Sequence, residues 1–249
     1  MPLRFVTLAE RPDLTAAMWA VPNPWPRFML QDLFADVCYD QLPQRYAEYQ
    51  MLALDGDGSN ERVLARINAV PYAWSGRDDD LPSTGWDWAL GTAFRPEMPR
   101  AANAVSLIEA RMHPDAAGRG FSAALLMAAR DNARALGYEH LLAPIRPTRK
   151  HLEPHTPIGD YVARVRDDGT AYDPWLRTHL RLGGRLVGIC ACAMTIAGTL
   201  REWREWTQLP FDRSGPVVVD GALNPVHVSI ENDHAVYVEP NIWIHHRTG

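Results

Sequence analysis

Hydrophobic and polar positions change period several times along this chain, and the changes predict its elements. Arg4 to Ala9 alternates, with Phe5, Thr7 and Ala9 on one face and Val6 and Leu8 on the other, which predicts a first strand. Pro12 and Asp13 open a helix that Thr15 to Val21 continues. Pro22, Pro24 and Pro26 break it, because proline lacks the N–H a helix needs and restricts the residue before it. A second helix is predicted over Arg27 to Tyr39, with apolar positions at Phe28, Leu30, Leu33, Phe34 and Val37. Met51–Leu54 and Val63–Trp74 are apolar runs around Asp55-Gly56-Asp57-Gly58-Ser59-Asn60, the signature of a hairpin. Trp86 to Phe94 reads as a helix, and Val105 to Met112 as the next strand.

That strand runs into Met112-His113-Pro114-Asp115-Ala116-Ala117-Gly118-Arg119-Gly120-Phe121-Ser122, a glycine turn from which a helix leaves. Phe121, Leu125, Ala128, Ala129, Asn132 and Leu136 fall on one stripe, while Arg130, Asp131 and Arg134 lie off it. Gly137 ends the helix and His140 to Ile145 forms a strand. Strand, turn, helix and strand make a βαβ unit, so the two strands are expected to be parallel. The helix start leaves N–H groups free, and the helix dipole adds positive charge there, which suits a phosphate or pyrophosphate. Gly118 and Gly120 remove Cβ atoms from the path of a ligand, and Arg119 adds a formal charge. A tight connection with no ligand is the alternative for such a turn.

Pro147 to Tyr172 is irregular. Asp173 and Pro174 then cap a helix over Trp175 to Leu182 that stops at Gly183-Gly184. Arg185 to Ala193 is a strand and Gly198 to Trp206 a short helix. Val226–Ile230 and Ala235–Val238 form a hairpin around Glu231-Asn232-Asp233-His234, and Ile242 to His245 is one more strand. No repeat or linker divides residues 1–249, so a single mixed α/β domain is expected.

Composition narrows the function. Hydrophobic residues are 47% of the 249, enough for an ordinary core. A net charge of −5 argues against a general nucleic-acid binder. The three cysteines, Cys38, Cys190 and Cys192, are too few for a disulfide framework or a structural zinc site and read as small buried hydrophobes. Arg4, Glu10, Arg11 and Asp13 interrupt any secretory leader, and no apolar run is long enough for a membrane span. A soluble cytoplasmic protein with no membrane partner is expected.

The order of elements, with the glycine turn at its centre, resembles the GNAT superfamily of acyl-CoA-dependent N-acyltransferases. The resemblance spans about residues 3–193 and is sharpest over about 105–137, with residues 194–249 as a C-terminal helix and β extension. Trp25-Pro26-Arg27-Phe28-Met29, Gly85-Trp86-Asp87-Trp88 and Asp173-Pro174-Trp175-Leu176-Arg177 look like an actinobacterial-type subgroup. The family's motif Gln/Arg-x-x-Gly-x-Gly/Ala falls on Ala117, Gly120 and Ser122; Gly120 matches, and Ala117 and Ser122 depart. The resemblance implies acetyl-CoA or another acyl-CoA as co-substrate, held by Arg111, Met112, His113, Ala117, Gly118, Arg119, Gly120, Phe121 and Ser122, with no metal. It places a backbone N–H near Met112 on the thioester carbonyl, an oxyanion-hole function. The partner it implies is a small-molecule amine.

Acyl transfer needs a neutral amine and a route for its proton. Glu109, three residues before Met112, is a candidate base if desolvation raises its pKa; a substrate anchor or an ion pair with Arg111 are the alternatives. His179 lies where the family often carries an acidic tyrosine, with Tyr172 and Tyr161 as substitutes and a structural histidine as the alternative. Trp25, Trp74, Trp86, Asp87 and Trp88, with Trp19, suggest an acceptor site with apolar walls, in which Asp87 meets a cationic amine. His151, Glu153 and His155 read as a polar wall rather than a metal site. A basic surface over Arg119, Arg146, Arg149 and Lys150 would favour an acyl carrier protein or aminoacyl-tRNA as donor; a non-catalytic acyl-CoA-binding protein and a homodimer are further readings.

Overall fold

A computed structural model describes residues 3–56, 58–116 and 118–249. The chain order is β1 (Arg4–Thr7), α1 (Thr15–Trp19), α2 (Leu33–Cys38), α3 (Leu42–Arg45), β2 (Met51–Asp55), β3 (Arg62–Tyr72), α4 (Gly85–Ala93), α5 (Met98–Ala101), β4 (Ala104–Met112), α6 (Phe121–Ala135), β5 (His140–Ile145), α7 (Ile158–Val162), α8 (Pro174–Arg181), β6 (Arg185–Gly198), α9 (Leu200–Thr207), β7 (Gly215–Val217), β8 (Val226–Ser229) and β9 (His234–Arg247). Among the described residues the strands form one sheet in the order β1-β2-β3-β4-β5-β9-β8-β7, with β6 also paired to β9. All pairs are antiparallel except β4 with β5. The mixed α/β class and the parallel βαβ unit agree with the sequence reading.

Asp173 caps α8 as expected, its Oδ1 accepting from Trp175 N at 2.9 Å and Leu176 N at 3.1 Å. The segment read as one helix over 27–39 is two pieces. A 3-10 turn covers Arg27–Gln31, and extended Asp32 then restarts the chain as α2 by accepting from Ala35 N. The break rotates one piece against the other, so the apolar positions form no single stripe. Phe28 is buried, whereas Leu30, Leu33, Phe34 and Val37 are exposed.

The C-terminal region both extends and completes the sheet. β7 and β8 widen it. The hairpin strand and the last strand, read as separate, are the single strand β9, which lies inside the sheet between β5 and β6. Pro240 falls inside β9 opposite the irregularity between Cys190 and Met194 of β6, where its missing N–H breaks no ladder bond. Alternation along β9 sends Trp243 and His245 to one face and His246 to the other. Trp243 Nε1 donates to Pro82 O ahead of α4, and His246 meets His179 of α8, so helices cover both faces.

A second apolar cluster joins the C-terminal elements to the N-terminal segment. Trp203 of α9 donates to Ala235 O at 2.8 Å and packs 5.6 Å from Phe28, which meets Tyr237 edge-on at 5.2 Å. This contact fixes residues 25–29 against β9. Truncating a large buried side chain leaves a cavity, so Trp243→Ala is expected to cost about 3–5 kcal/mol in chemical denaturation. Trp88→Ala, at an exposed position, is expected to change stability by under about 0.5 kcal/mol.

Candidate active site

The site begins where two parallel strands part. β4 pairs with β5 only at Val105–Leu141 and Ser106–Leu142. Beyond that point Ala110 of β4 is exposed although it lies in the middle of the sheet. Two features drive the separation. Ile108 is an extra residue in the register of β4 against β3, a bulge that bends the strand. Meanwhile β5 stays tied along its whole length to β9. Trp86 of α4 caps the bulge, its Nε1 donating to Ile108 O at 2.9 Å.

The strand edge facing this slot carries free backbone groups. His113 N donates to Leu64 O of β3 at 2.7 Å. Amide directions alternate along a strand, so Met112 N–H points the other way, toward the slot. Below the slot lies the glycine turn. Gly118 and Gly120 hold φ of +74° and +75°, with Gly120 as the N-cap of α6, and a Cβ on either would meet nothing within 4 Å. Among the described residues no side chain caps α6, so the N–H groups of its first turn are left without a capping partner. Phe121 and Ser122 lie in its first turn, with the Arg119 guanidinium 4.7 Å from the Phe121 ring. His113 braces the turn, its Nδ1 contacting Arg62 at 3.0 Å and accepting from Asp115 N at 3.2 Å. Ala117 lies outside the described residues.

Above the slot, four donors surround Glu109. Arg66 Nε reaches Oε2 at 2.9 Å, Arg111 Nη2 reaches Oε1 at 2.5 Å, Tyr39 O–H donates to Oε2 at 2.9 Å, and Trp25 Nε1 donates to Oε1 at 2.8 Å. The Glu109 side chain is 7% exposed and that of Arg66 3%. Burial pushes the Glu109 pKa up, but the two guanidiniums and the bonds from Trp25 and Tyr39 outweigh it and leave the carboxyl below its ordinary range. The expectation of a raised pKa is therefore corrected: Glu109 is a fixed anion, and the ion pair with Arg111 is formed. Burial, and the charge of Glu109 beside it, push the Tyr39 phenol well above its ordinary value.

The aromatic cluster divides. Trp25, Trp86, Trp19 and Tyr39 gather round Glu109, with Tyr39 stacked 6.3 Å from Trp86 and the Arg66 guanidinium 4.7 Å from Trp19. Trp74 does not join them. It lies beyond the far end of β3, packed between His140 and His245 at 5.0 and 4.8 Å. Trp88 points outward under Arg95. Asp87 is turned into the protein, its Oδ2 accepting from Thr195 N at 3.2 Å. Helical spacing explains the split, because consecutive residues of α4 face different ways.

His179 is corrected as well. It is fully buried, packed 4.3 Å from Trp175 and bonded through Nδ1 to His246 Nε2 at 2.9 Å. Burial, then His246, push its pKa down to about 3, so near neutrality it is the neutral imidazole and not the acidic imidazolium. Tyr161 is buried and donates to Asp173 Oδ2 at 3.0 Å, while Tyr172 is partly exposed. The basic surface also contracts. Arg146 is bound to Glu239 at 3.0 Å, and buried Lys150 donates to Glu153 O and Leu223 O, which leaves Arg119 and Arg149.

Sequence reasoning missed Arg66, Tyr39 and Glu239, and read Arg146 as part of a donor surface instead of as the partner of Trp25 and Glu239. A signal existed for Arg66: Arg66 and Asn68 are polar two residues apart in an apolar strand, and they stand opposite Arg111 and Glu109. Arg146 stacks 5.2 Å from Trp25 and fixes Glu239, which also accepts from Tyr237 O–H at 2.9 Å. Removing the Glu109 charge strands two buried guanidiniums. Glu109→Gln is therefore expected to lose about 3–5 kcal/mol of stability together with activity, read by denaturation and turnover on the same sample. A pure base would lose turnover alone. His179→Ala is expected to lower the melting temperature while keeping kcat of the folded fraction within about twofold.

No protein-family model matches the chain. It is 32% identical over 273 aligned positions to the arginine N-acetyltransferase avaD of Aspergillus versicolor, covering 96% of this chain and 92% of that one. Among solved structures, the loading GNATL domain of CurA from Lyngbya majuscula superposes with a TM-score of 0.56 at 13% identity, over 99% of this chain and 97% of that domain. The GphF GNAT-like decarboxylase in complex with isobutyryl-CoA gives 0.52 at 15% identity over the whole of both chains. The two structures share the fold, and the relative fixes the family: the chain belongs to the GNAT superfamily and is an N-acetyltransferase.

Proposed function

We propose that the protein transfers an acetyl group from acetyl-CoA to an amine that enters between Trp25, Tyr39 and Trp86. The observation that carries this reading is the free edge of β4, where Met112 N–H points into the slot beside the bare start of α6. The slot suits an extended arm that pairs with strand backbone. The glycine turn suits a pyrophosphate held by main-chain N–H groups, so the departures at Ala117 and Ser122 cost little.

In this reading the amine attacks the thioester carbon as a neutral nucleophile. Its C–N bond forms while negative charge gathers on the carbonyl oxygen, and Met112 N–H stabilises that charge. The C–S bond then breaks, and the thiolate leaves with a proton from water. Glu109 takes no proton, since it is saturated with donors and held ionised. It is a positioning residue, fixing Arg66, Arg111, Tyr39 and Trp25 as the rigid wall of the cleft. The amine proton passes to water in the open cleft.

The relative from Aspergillus versicolor is named for arginine, so arginine and compounds carrying its side chain head the acceptor panel. The test is release of CoA thiol from acetyl-CoA across such a panel. Turnover is expected for the wild type. Gly120→Ala, which forces a Cβ into a left-handed backbone conformation, is expected to raise KM for acetyl-CoA about tenfold and leave KM for the amine unchanged. Equal effects on both constants, or no turnover with any amine, would count against this reading.

A further inference from the structure

The end of the sheet opposite the slot gathers positive charge that the reaction above does not use. His140 opens β5, Arg185 opens β6, and Arg247 closes β9, which is paired to both. The register sets His140 opposite Arg247 and Arg185 opposite His245. Directly opposed residues share a face, as do residues two apart on a strand, so these side chains stand together on one face of the sheet. Trp74 packs against both imidazoles, and His140 Nδ1 lies 3.1 Å from His245 Nε2. Arg130 of α6 reaches the same place beside the end of α8, its Nη1 donating to Leu182 O at 2.8 Å. Trp74, Arg130, His140, Arg185, His245 and Arg247 line one open cavity of about 640 Å³.

The charges around this cavity do not cancel. Arg185 is paired with Asp78, its Nη2 reaching Oδ1 at 3.1 Å. Among the described residues, Arg130 and Arg247 have no carboxylate within ion-pair distance. The Arg130 Nε is buried and meets no acceptor among them. His245 feels the excess: burial, then His140 and Arg185, push its pKa down to about 4 against the opposite pull of Asp78. Like charges gathered on one sheet face are destabilising until an anion joins them.

We infer that this cavity is a binding site for a phosphate group, free or carried as a monoester by a small molecule. The two uncompensated guanidiniums, Arg130 and Arg247, match the charge of about −2 that a phosphate monoester carries near neutrality. They come from α6 and β9, and a tetrahedral anion offers oxygens in both directions. A lone carboxylate offers one charge and two oxygens in one plane. The site is separate from the acetyl-CoA slot. Arg130 lies nine residues beyond Phe121, the first residue of α6, which is about 14 Å along the helix axis from the glycine turn. His140 precedes the β4–β5 ladder, and the slot opens beyond it.

The test is calorimetric titration of inorganic phosphate and of glycerol phosphate, at low ionic strength, into the protein saturated with acetyl-CoA so that the glycine turn is filled. Binding at one site per chain is expected. Arg247→Gln, at an exposed position, and Arg130→Gln are each expected to weaken it about tenfold or more. Arg201→Gln, which removes an exposed charge on α9, should leave it within about twofold. Tighter binding of glycerol phosphate than of inorganic phosphate assigns the site to a monoester, and the reverse assigns it to the free ion. No binding of either, equal losses in Arg201→Gln and Arg247→Gln, tighter binding of succinate than of both, or release of the phosphate as acetyl-CoA is added would overturn the proposal. The site stands apart from the acetyltransferase reading, and dependence on Arg247 identifies the cavity whether or not acetyl-CoA binds.

Discussion

Two residue pairs join β4 to β5, and the site depends on the pairing stopping there. A longer parallel ladder would consume the backbone groups of β4 and seal the sheet. Instead the bulge at Ile108 bends β4 away while β9 holds β5 in place. The result is a slot with unspent N–H and C=O groups on one wall and the start of α6 at its foot. β9 is thus as much a part of the active site as β4, although it contributes the last strand of the chain.

The slot needs a rigid roof, and Glu109 supplies it electrostatically. One carboxylate binds two guanidiniums and orders two aromatic rings from segments far away in sequence. Such a buried network is costly to break, because removing one member exposes the others to a medium that does not solvate charge. The same arithmetic fixes the protonation state. Burial alone would make Glu109 a good base, but two adjacent cations make it a poor one. Asp87, buried without a cation, has been driven the opposite way.

What was legible in the sequence was local. The strand, glycine turn, helix and strand from Ala104 to Ile145 follow from periodicity, positive-φ glycines and helix-end chemistry within a short window. The cap at Asp173 follows in the same way. What was not legible was long-range. The partners of Glu109 stand 43, 70 and 84 residues away along the chain at Arg66, Tyr39 and Trp25, and no periodicity links them. Trp74 and Trp86 looked alike in sequence and lie at different ends of the sheet. His179 occupied a suggestive position, but its side chain points at His246 across the interface between α8 and β9. The interior place of β9 could not be read from two short apolar runs flanking Pro240.

The most direct measurement is a crystal structure of the protein with acetyl-CoA. The account predicts the pantetheine arm between β4 and β5, the pyrophosphate on the N–H groups around Gly118 and Gly120, and the thioester oxygen within hydrogen-bond distance of Met112 N. Acetyl-CoA bound elsewhere, or a thioester oxygen turned away from Met112 N, would contradict it.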